Sequence, residues 1–212
     1  MINKGGGINT TIPFFLKKII MAKSYTVGTP STVALFTTAE AKTHLKVDTT
    51  ADDTYIDNLV SASRLSAEIF TNRFFINTTI TEVADSWEEL SPLFKSPVSS
   101  ITFIKYYDSD NTEQTLATSV YVTDFSHQPA RVALDVDQSY PNLAERINAV
   151  SCKYIVGYGA SASHVPEGIR EAVLLTIGNW YENRQEVVRG TIATELPKSA
   201  QYILEQYKIQ TV

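Results

Sequence analysis

The chain has 212 residues and a mass of 23.5 kDa, room for one large domain or two small ones, and folding at that size buries about 70% of the unfolded surface. Hydrophobic residues make up 43% and charged residues 19%, with a mean hydropathy of -0.09, which excludes a disordered, collagen-like or coiled-coil protein. The formal charge is -5 from 18 basic and 23 acidic residues, but residues 1–39 hold four lysines and no acid, so the rest carries -9 and is too acidic to grip nucleic acid through its phosphates.

Residues 1–32 read as an N-terminal arm. Lys4 precedes an apolar run from Ile12 to Leu16, a superficial likeness to an export signal. Pro13 breaks that run, Lys17 and Lys18 close it, and it falls far short of the ~20 apolar residues that span a bilayer. No membrane role is expected. Gly5, Gly6 and Gly7 argue for a flexible arm. Two readings stay open: Met21 is the natural start and residues 1–20 precede it by artefact, or the arm docks on a neighbouring subunit with Phe14, Phe15, Ile19 and Ile20 as anchors.

Residues 37–46 read as a short helix, because Thr37-Thr38-Ala39-Glu40 has the spacing of a capping box. After a polar loop, a longer helix is predicted over about 52–72. Ile56, Leu59, Val60, Ser63, Ala67 and Phe70 recur on one face at spacings of three and four. Residues 33–73 thus form the first part of a helical core.

From residue 74 to 160 the character changes to Thr, Val, Ile and Tyr with turn residues at intervals. Strands are predicted over 78–85, 99–108, 119–124, 131–135 and 149–157, with 112–116 returning from a hairpin turn at 108–111. Pro92, Pro97, Pro129 and Pro141 suit edges or loops better than central strands. The expectation is one antiparallel sheet of five or six strands, inserted between helices.

Helix resumes at Pro166-Glu167, with proline suited to the first position and glutamate to the positive end of the dipole. Its apolar stripe is Ile169, Val173, Thr176, Ile177 and Trp180, and the helix should run to about Val187, with Gly190 as its end or a hinge. A last helix begins at Pro197 and presents Ala200, Ile203, Leu204 and Tyr207 on one face. Residues 161–212 are then the second part of the helical core and a C-terminal tail. The fold class is α+β: about four helices in a bundle, with the sheet projecting as a second lobe.

The chemistry-bearing residues are sparse. Cys152 is the only cysteine, which excludes an intramolecular disulfide framework and any Cys-rich zinc site, and fits a reducing compartment. It lies in a strand with no base nearby in sequence, as expected of a small buried hydrophobe rather than a nucleophile. His44, His127 and His164 have no partner at metal-ligand spacing and read as surface or loop residues. Asp52, Asp53 and Asp57 resemble a cation site, but carboxylates in a first helical turn are explained by the helix dipole. The Gly157–Ser163 turn sits between a strand and a helix, yet it lacks the lysine of a phosphate loop and the third glycine of a dinucleotide fingerprint. No catalytic, metal or cofactor site follows. The densest segment is Trp180-Tyr181-Glu182-Asn183-Arg184, a grouping common in interface hot spots and equally explained by a helix with a buried Trp180.

Tyr154-Ile155-Val156-Gly157-Tyr158-Gly159, then Val165-Pro166-Glu167 with Ile169, Arg170 and Ala172, then Trp180 to Arg184, taken in order, resemble the head–tail connector (adaptor) family of tailed bacteriophages, in its longer members with a β insert. Leu196-Pro197 with Leu204 and Tyr207 continues the likeness. Upstream, Thr38 with Glu40-Ala41-Lys42 and His44-Leu45-Lys46-Val47-Asp48 is similar to the opening helix. Asp52-Asp53 to Ile56, then Asn72-Arg73-Phe74, is similar to the second helix and its exit. Ile104 to Asp110, Gln114 to Leu116, and Tyr121 with Asp124 are similar to the insert. The likeness runs collinearly over about residues 33–208.

The resemblance implies a structural virion protein of the phage neck, without enzymatic activity or cofactor. It implies a homo-oligomeric ring, typically dodecameric, beneath the portal protein. That ring extends the DNA channel, passes DNA without binding it specifically, and supports the next neck or tail-completion protein. Such a protein assembles in the host cytoplasm and ends in the virion. The portal- or subunit-facing residues implied are Arg170, Trp180, Tyr181, Arg184, Tyr207, Ile209 and Val212. Two alternatives remain: a small hydrolase or nucleotide-binding enzyme using the Gly157–Ser163 turn, and another neck or tail-completion structural protein.

Overall fold

A computed structural model describes residues 23–28, 30–183 and 195–209. Its elements run β1 (Lys23–Val27), α1 (Thr38–Leu45), α2 (Asp53–Thr71), β2 (Thr78–Ala84), α3 (Trp87–Leu90), β3 (Val98–Tyr107), β4 (Glu113–Thr115), β5 (Tyr121–Asp124), β6 (Arg131–Leu134), β7 (Val150–Val156), α4 (Glu167–Glu182) and α5 (Lys198–Glu205). The mixed α+β architecture agrees with the sequence, and so do the bounds of most elements.

The capping box forms as its spacing predicts. The Thr37 hydroxyl accepts from the Glu40 amide, and the Glu40 carboxylate accepts from the Thr37 amide at 2.7 Å. Helix α2 buries Ile56, Leu59, Val60, Ser63 and Ala67, together with Glu68 and Thr71, which the apolar stripe does not announce. Helix α4 packs between α2 and α5. One apolar cluster, with Leu35, Ile56, Phe75, Ile169, Ile177 and Leu204 at its centre, fills the space among these helices. Pro166 stands one position earlier than predicted, at the N-cap of α4, where its carbonyl accepts from the Ile169 and Arg170 amides. The Val187 end and the Gly190 hinge lie outside the described residues.

The sheet departs from its prediction in two ways. Among the described residues it has five strands in the order β1-β2-β7-β3-β4, every pair antiparallel, while β5 and β6 form a separate two-stranded hairpin. Strand β1 also comes from the segment read as arm. Lys23 pairs with Ala84 and Val27 with Ile80, so the chain begins its described course as an edge strand. In the sequence KSYTV only Tyr25 and Val27 alternate with polar residues before Gly28 and Pro30, too short a pattern to set the strand apart from the arm around it.

In β2 and β7 burial alternates strictly, the period-2 signature of a sheet with one covered face. Ile80 faces Tyr154 and Glu82 faces Cys152 in register. Over that face lies a second apolar cluster including Trp87, Leu90, Leu93, Leu116 and Val132. Helix α3 was not predicted; its Trp87 stacks on Tyr140 at 4.5 Å and donates to the Pro141 carbonyl at 2.9 Å.

The two clusters meet where the chain passes into and out of the sheet. Asn77 donates to the Gly159 carbonyl and Tyr158 to the Phe75 carbonyl, so the two crossing segments brace each other.

Candidate interface surfaces

Helix α4 carries the aromatic pair to the end of the helical layer near Asp52. The Tyr181 hydroxyl donates to Asp52 Oδ2 at 2.7 Å, and its ring lies 6.1 Å from that of Tyr55. Tyr55 in turn donates to the Trp180 carbonyl at 3.4 Å. Trp180 is half-buried against the helical cluster, with its indole N–H directed at the Glu195 carbonyl 3.5 Å away. The structure thus brings Trp180 and Tyr181 together with Asp52, read from the sequence as a helix-dipole carboxylate, and with Tyr55, which the sequence did not single out. The remaining acids are also engaged: Asp53 pairs with Lys42 at 2.7 Å, and Asp57 accepts from the Thr38 hydroxyl.

Arg170 stands one face away. Its guanidinium lies 5.1 Å from the Phe36 ring centre and 3.5 Å from Glu167, leaving its side chain 23% exposed. Tyr207 and Ile209 are held by their own chain. Arg73 Nε donates to the Tyr207 carbonyl, the Tyr207 hydroxyl rests against Gly168, and the buried Ile209 donates its amide to the Thr71 carbonyl at 3.0 Å. Ile209 therefore anchors the end of α5 internally. Arg184, Val212, Phe14, Phe15, Ile19 and Ile20 lie outside the described residues.

The Gly157–Ser163 turn is filled by the protein itself. Gly157 has φ +132°, and a Cβ there would fall 2.6 Å from the Asn77 nitrogen; one on Gly159 would meet the His164 ring at 2.4 Å. These glycines admit neighbouring chain, not a phosphate. Ser161 Oγ is 2.8 Å from both Ser163 Oγ and His164 Nδ1, an exposed local turn contact. His44, His127 and His164 are all exposed. Cys152 is fully buried, and burial pushes its thiol up to about 12 despite the nearby Lys23, the inert behaviour expected of it.

Sequence reading missed the polar groups that hold the surfaces in place. Lys23 Nζ lies 2.5 Å from Glu82 Oε1, and the two side chains are 5% and 0% exposed. Lys23 also donates to the Leu90 and Pro92 carbonyls, and Glu82 Oε2 accepts from the Tyr154 hydroxyl at 2.6 Å and the Phe94 amide at 2.8 Å. Burial lowers the Lys23 ammonium to about 8. At the junction, Glu68 accepts from Arg64 at 3.1 Å and from the Phe75 amide at 2.9 Å, with burial raising its carboxyl above the usual range. The period-2 placement of Glu82 among Thr78, Ile80 and Ala84 is the one available sequence signal for it.

Between the outer face of α2 and the β1 strand with its following linker runs an apolar groove of about 520 Å³. Leu65 and Ile69 form one wall, 57% and 72% exposed, and Tyr25, Val27 and Val33 the other. Arg64 fixes the linker wall by donating to the Ser31 and Val33 carbonyls.

Comparison with known proteins places these features in context. Residues 138–208, which include β7, α4 and α5, match the family model of phage gp6-like head-tail connector proteins. No curated protein sequence matches the chain. Among solved structures, a chain in the neck of an empty gene transfer agent particle, computed with C6 symmetry, shares the fold with a TM-score of 0.68 at 20% identity, covering 89% of this chain and 97% of that one. A chain in the virion of the native gene transfer agent particle gives 0.68 at 20% identity over 89% and 96%. A chain in the native neck computed with C12 symmetry gives 0.59 at 19% identity over 88% and 97%.

Proposed function

We infer that this chain is a structural protein of a phage-type neck, a head–tail connector that forms a ring beneath the portal, extends the DNA channel and joins head to tail. One observation carries the reading. The segment with the connector-family pattern, residues 138–208, builds the last central strand and the two C-terminal helices of a fold shared nearly end to end with chains of gene transfer agent particles. With residues 23–27 drawn from the arm into the sheet, the two-part helical core (33–73 and 161–212) and the β insert (74–160) give such a subunit separate surfaces for its neighbours. A closed ring needs them, since each copy buries two different patches.

The role is assembly rather than catalysis. The turn that favoured a hydrolase or nucleotide-binding reading is occupied by Asn77 and His164. A net-acidic body lets DNA pass, because like charge opposes phosphate contacts. The portal, the next neck or tail-completion protein and further copies of the chain are the partners, in a twelve-fold ring assembled in the host cytoplasm. Trp180, Tyr181 and Arg170 serve the subunit or portal contact from the surface of the helical layer. Electron microscopy and native mass measurement of the protein mixed with the portal from the same particle should give one ring stacked on each portal. A protein that stays monomeric and ignores the portal overturns the reading.

A further inference from the structure

We propose that the groove between α2 and the β1 linker receives the apolar segment Ile12–Ile20 from the neighbouring copy of this chain, making the arm one half of the subunit contact. The inference rests on the ring reading above. Leu65 and Ile69 are one helical turn apart on α2 and point away from the helical core. Together with Val27 and Val33 they leave a contiguous apolar surface open to water, an arrangement that marks an interaction site when it is concentrated in a concave surface.

The chain itself supplies an occupant of matching chemistry. Residues 12–20 place Ile12, Phe14, Phe15, Leu16, Ile19 and Ile20 within nine positions. Large apolar side chains of this kind gain the most from removal from water.

Strand direction favours insertion into a neighbour. β1 runs toward the groove: Lys23 pairs with Ala84 at the far end, while Val27 pairs with Ile80 and lines the groove. The chain preceding Lys23 therefore leaves the sheet heading away from the groove, whose near edge at Tyr25 lies about 7 Å along the strand. Phe15 lies eight residues before Lys23 and Ile12 eleven, a reach of up to roughly 30–40 Å when extended, enough to meet a subunit packed against this one. A groove on one side and an insertion on the other is a heterologous pair, the kind that closes into a ring.

The test uses full-length chains assembled on the portal. One preparation carries Ile69→Cys, and a second, distinguishable by mass, carries Phe15→Cys or Ile19→Cys; the native Cys152 is buried and stays silent. After mixing and mild oxidation, a disulfide between the two kinds of chain is expected. A cross-link that forms only within a chain bearing both substitutions overturns the proposal in favour of folding back. Rings that show no cross-link overturn the groove while leaving the ring reading intact, whereas a failure of every preparation to form rings overturns both. Independently, Leu65→Glu with Ile69→Glu changes only exposed positions. It should leave the circular dichroism of the subunit unaltered and lower the ring fraction by about tenfold or more, the effect of 1.4 kcal/mol. An unchanged ring fraction overturns the proposal.

Discussion

The Lys23 ammonium lies 2.5 Å from the Glu82 carboxylate, with both side chains sealed from water, and so ties the first described strand to the centre of the sheet. Breaking a buried pair by removing one partner typically costs about 3–5 kcal/mol, because the other charge is left uncompensated. Lys23→Met should therefore destabilise the protein by about that much in urea unfolding. Glu82→Gln added to it should recover part of the loss, since the amide oxygen can still accept from Tyr154 and Phe94. Strict additivity of the two substitutions would show that the charges do not interact.

That pair also marks where sequence reading stops. Elements with a strong local code were legible: the Thr37–Glu40 box, the α2 stripe from Ile56 to Ala67, the alternation in β2 and β7, and the α4 face from Ile169 to Ile177. Strand β1 was not, because an edge strand of KSYTV is fixed by its partner rather than by its own composition. The separation of β5 and β6 from the main sheet was equally hidden, since strand pairing is a long-range choice that turn residues do not encode. At the candidate interface, the aromatic pair of α4 was visible, but its partners Asp52 and Tyr55 lie more than a hundred positions away. The groove was invisible for a related reason: exposure of Leu65 and Ile69 depends on what fails to pack against them.

Tyr181 and Asp52 provide a second prediction. A hydrogen bond to a charged acceptor contributes about 1.5–3 kcal/mol where it is well desolvated; with Tyr181 half-buried, Tyr181→Phe should cost about 1 kcal/mol in thermal or urea unfolding. Trp180→Ala should do more, lowering portal association or soluble yield, because it also removes packing against the helical cluster. Wild-type yields of infectious particles from the Trp180 variant would remove that residue from the interface.

Cys152 should be chemically silent in the folded protein. Burial raises its thiol to about 12, so at pH 8 almost none is thiolate, the reactive form. A thiol reagent at that pH should modify the chain only on addition of denaturant. Rapid labelling of the native protein would show that the sheet face opens readily.

Two exposed turns should hold their order deep into acid. Asp124 accepts from the Ser126 hydroxyl, Arg131 and the His127 amide, which hold its carboxyl well below the ordinary value. Asp108 is lowered chiefly by the Thr112 amide and by Gln114. A carboxyl depressed on folding stabilises fully above its unfolded value, about 3.9, and loses that contribution as pH falls from there through the lower folded value. Carbon-detected NMR titration should give both midpoints below the ordinary aspartate range. A midpoint at or above it for Asp124 would mean that the Ser126 and Arg131 contacts do not persist in solution.

Gly157 offers the sharpest test of how helices and sheet are joined. Its φ of +132° is a conformation that L side chains rarely adopt, and a Cβ would fall 2.6 Å from both the Ile76 carbonyl carbon and the Asn77 nitrogen. Backbone cannot give way as a flexible side chain can, so strain and overlap act together. Gly157→Ala should cost on the order of 3 kcal/mol by loosening the bracing of Phe75–Asn77 against Tyr158 and Gly159. Hydrogen exchange should localise the damage, with the Asn77 and Tyr158 amides losing protection before those in the middle of α2. A Gly157→Ala protein as stable as the parent would mean that the crossing segments are not packed as closely as the Asn77 contact requires.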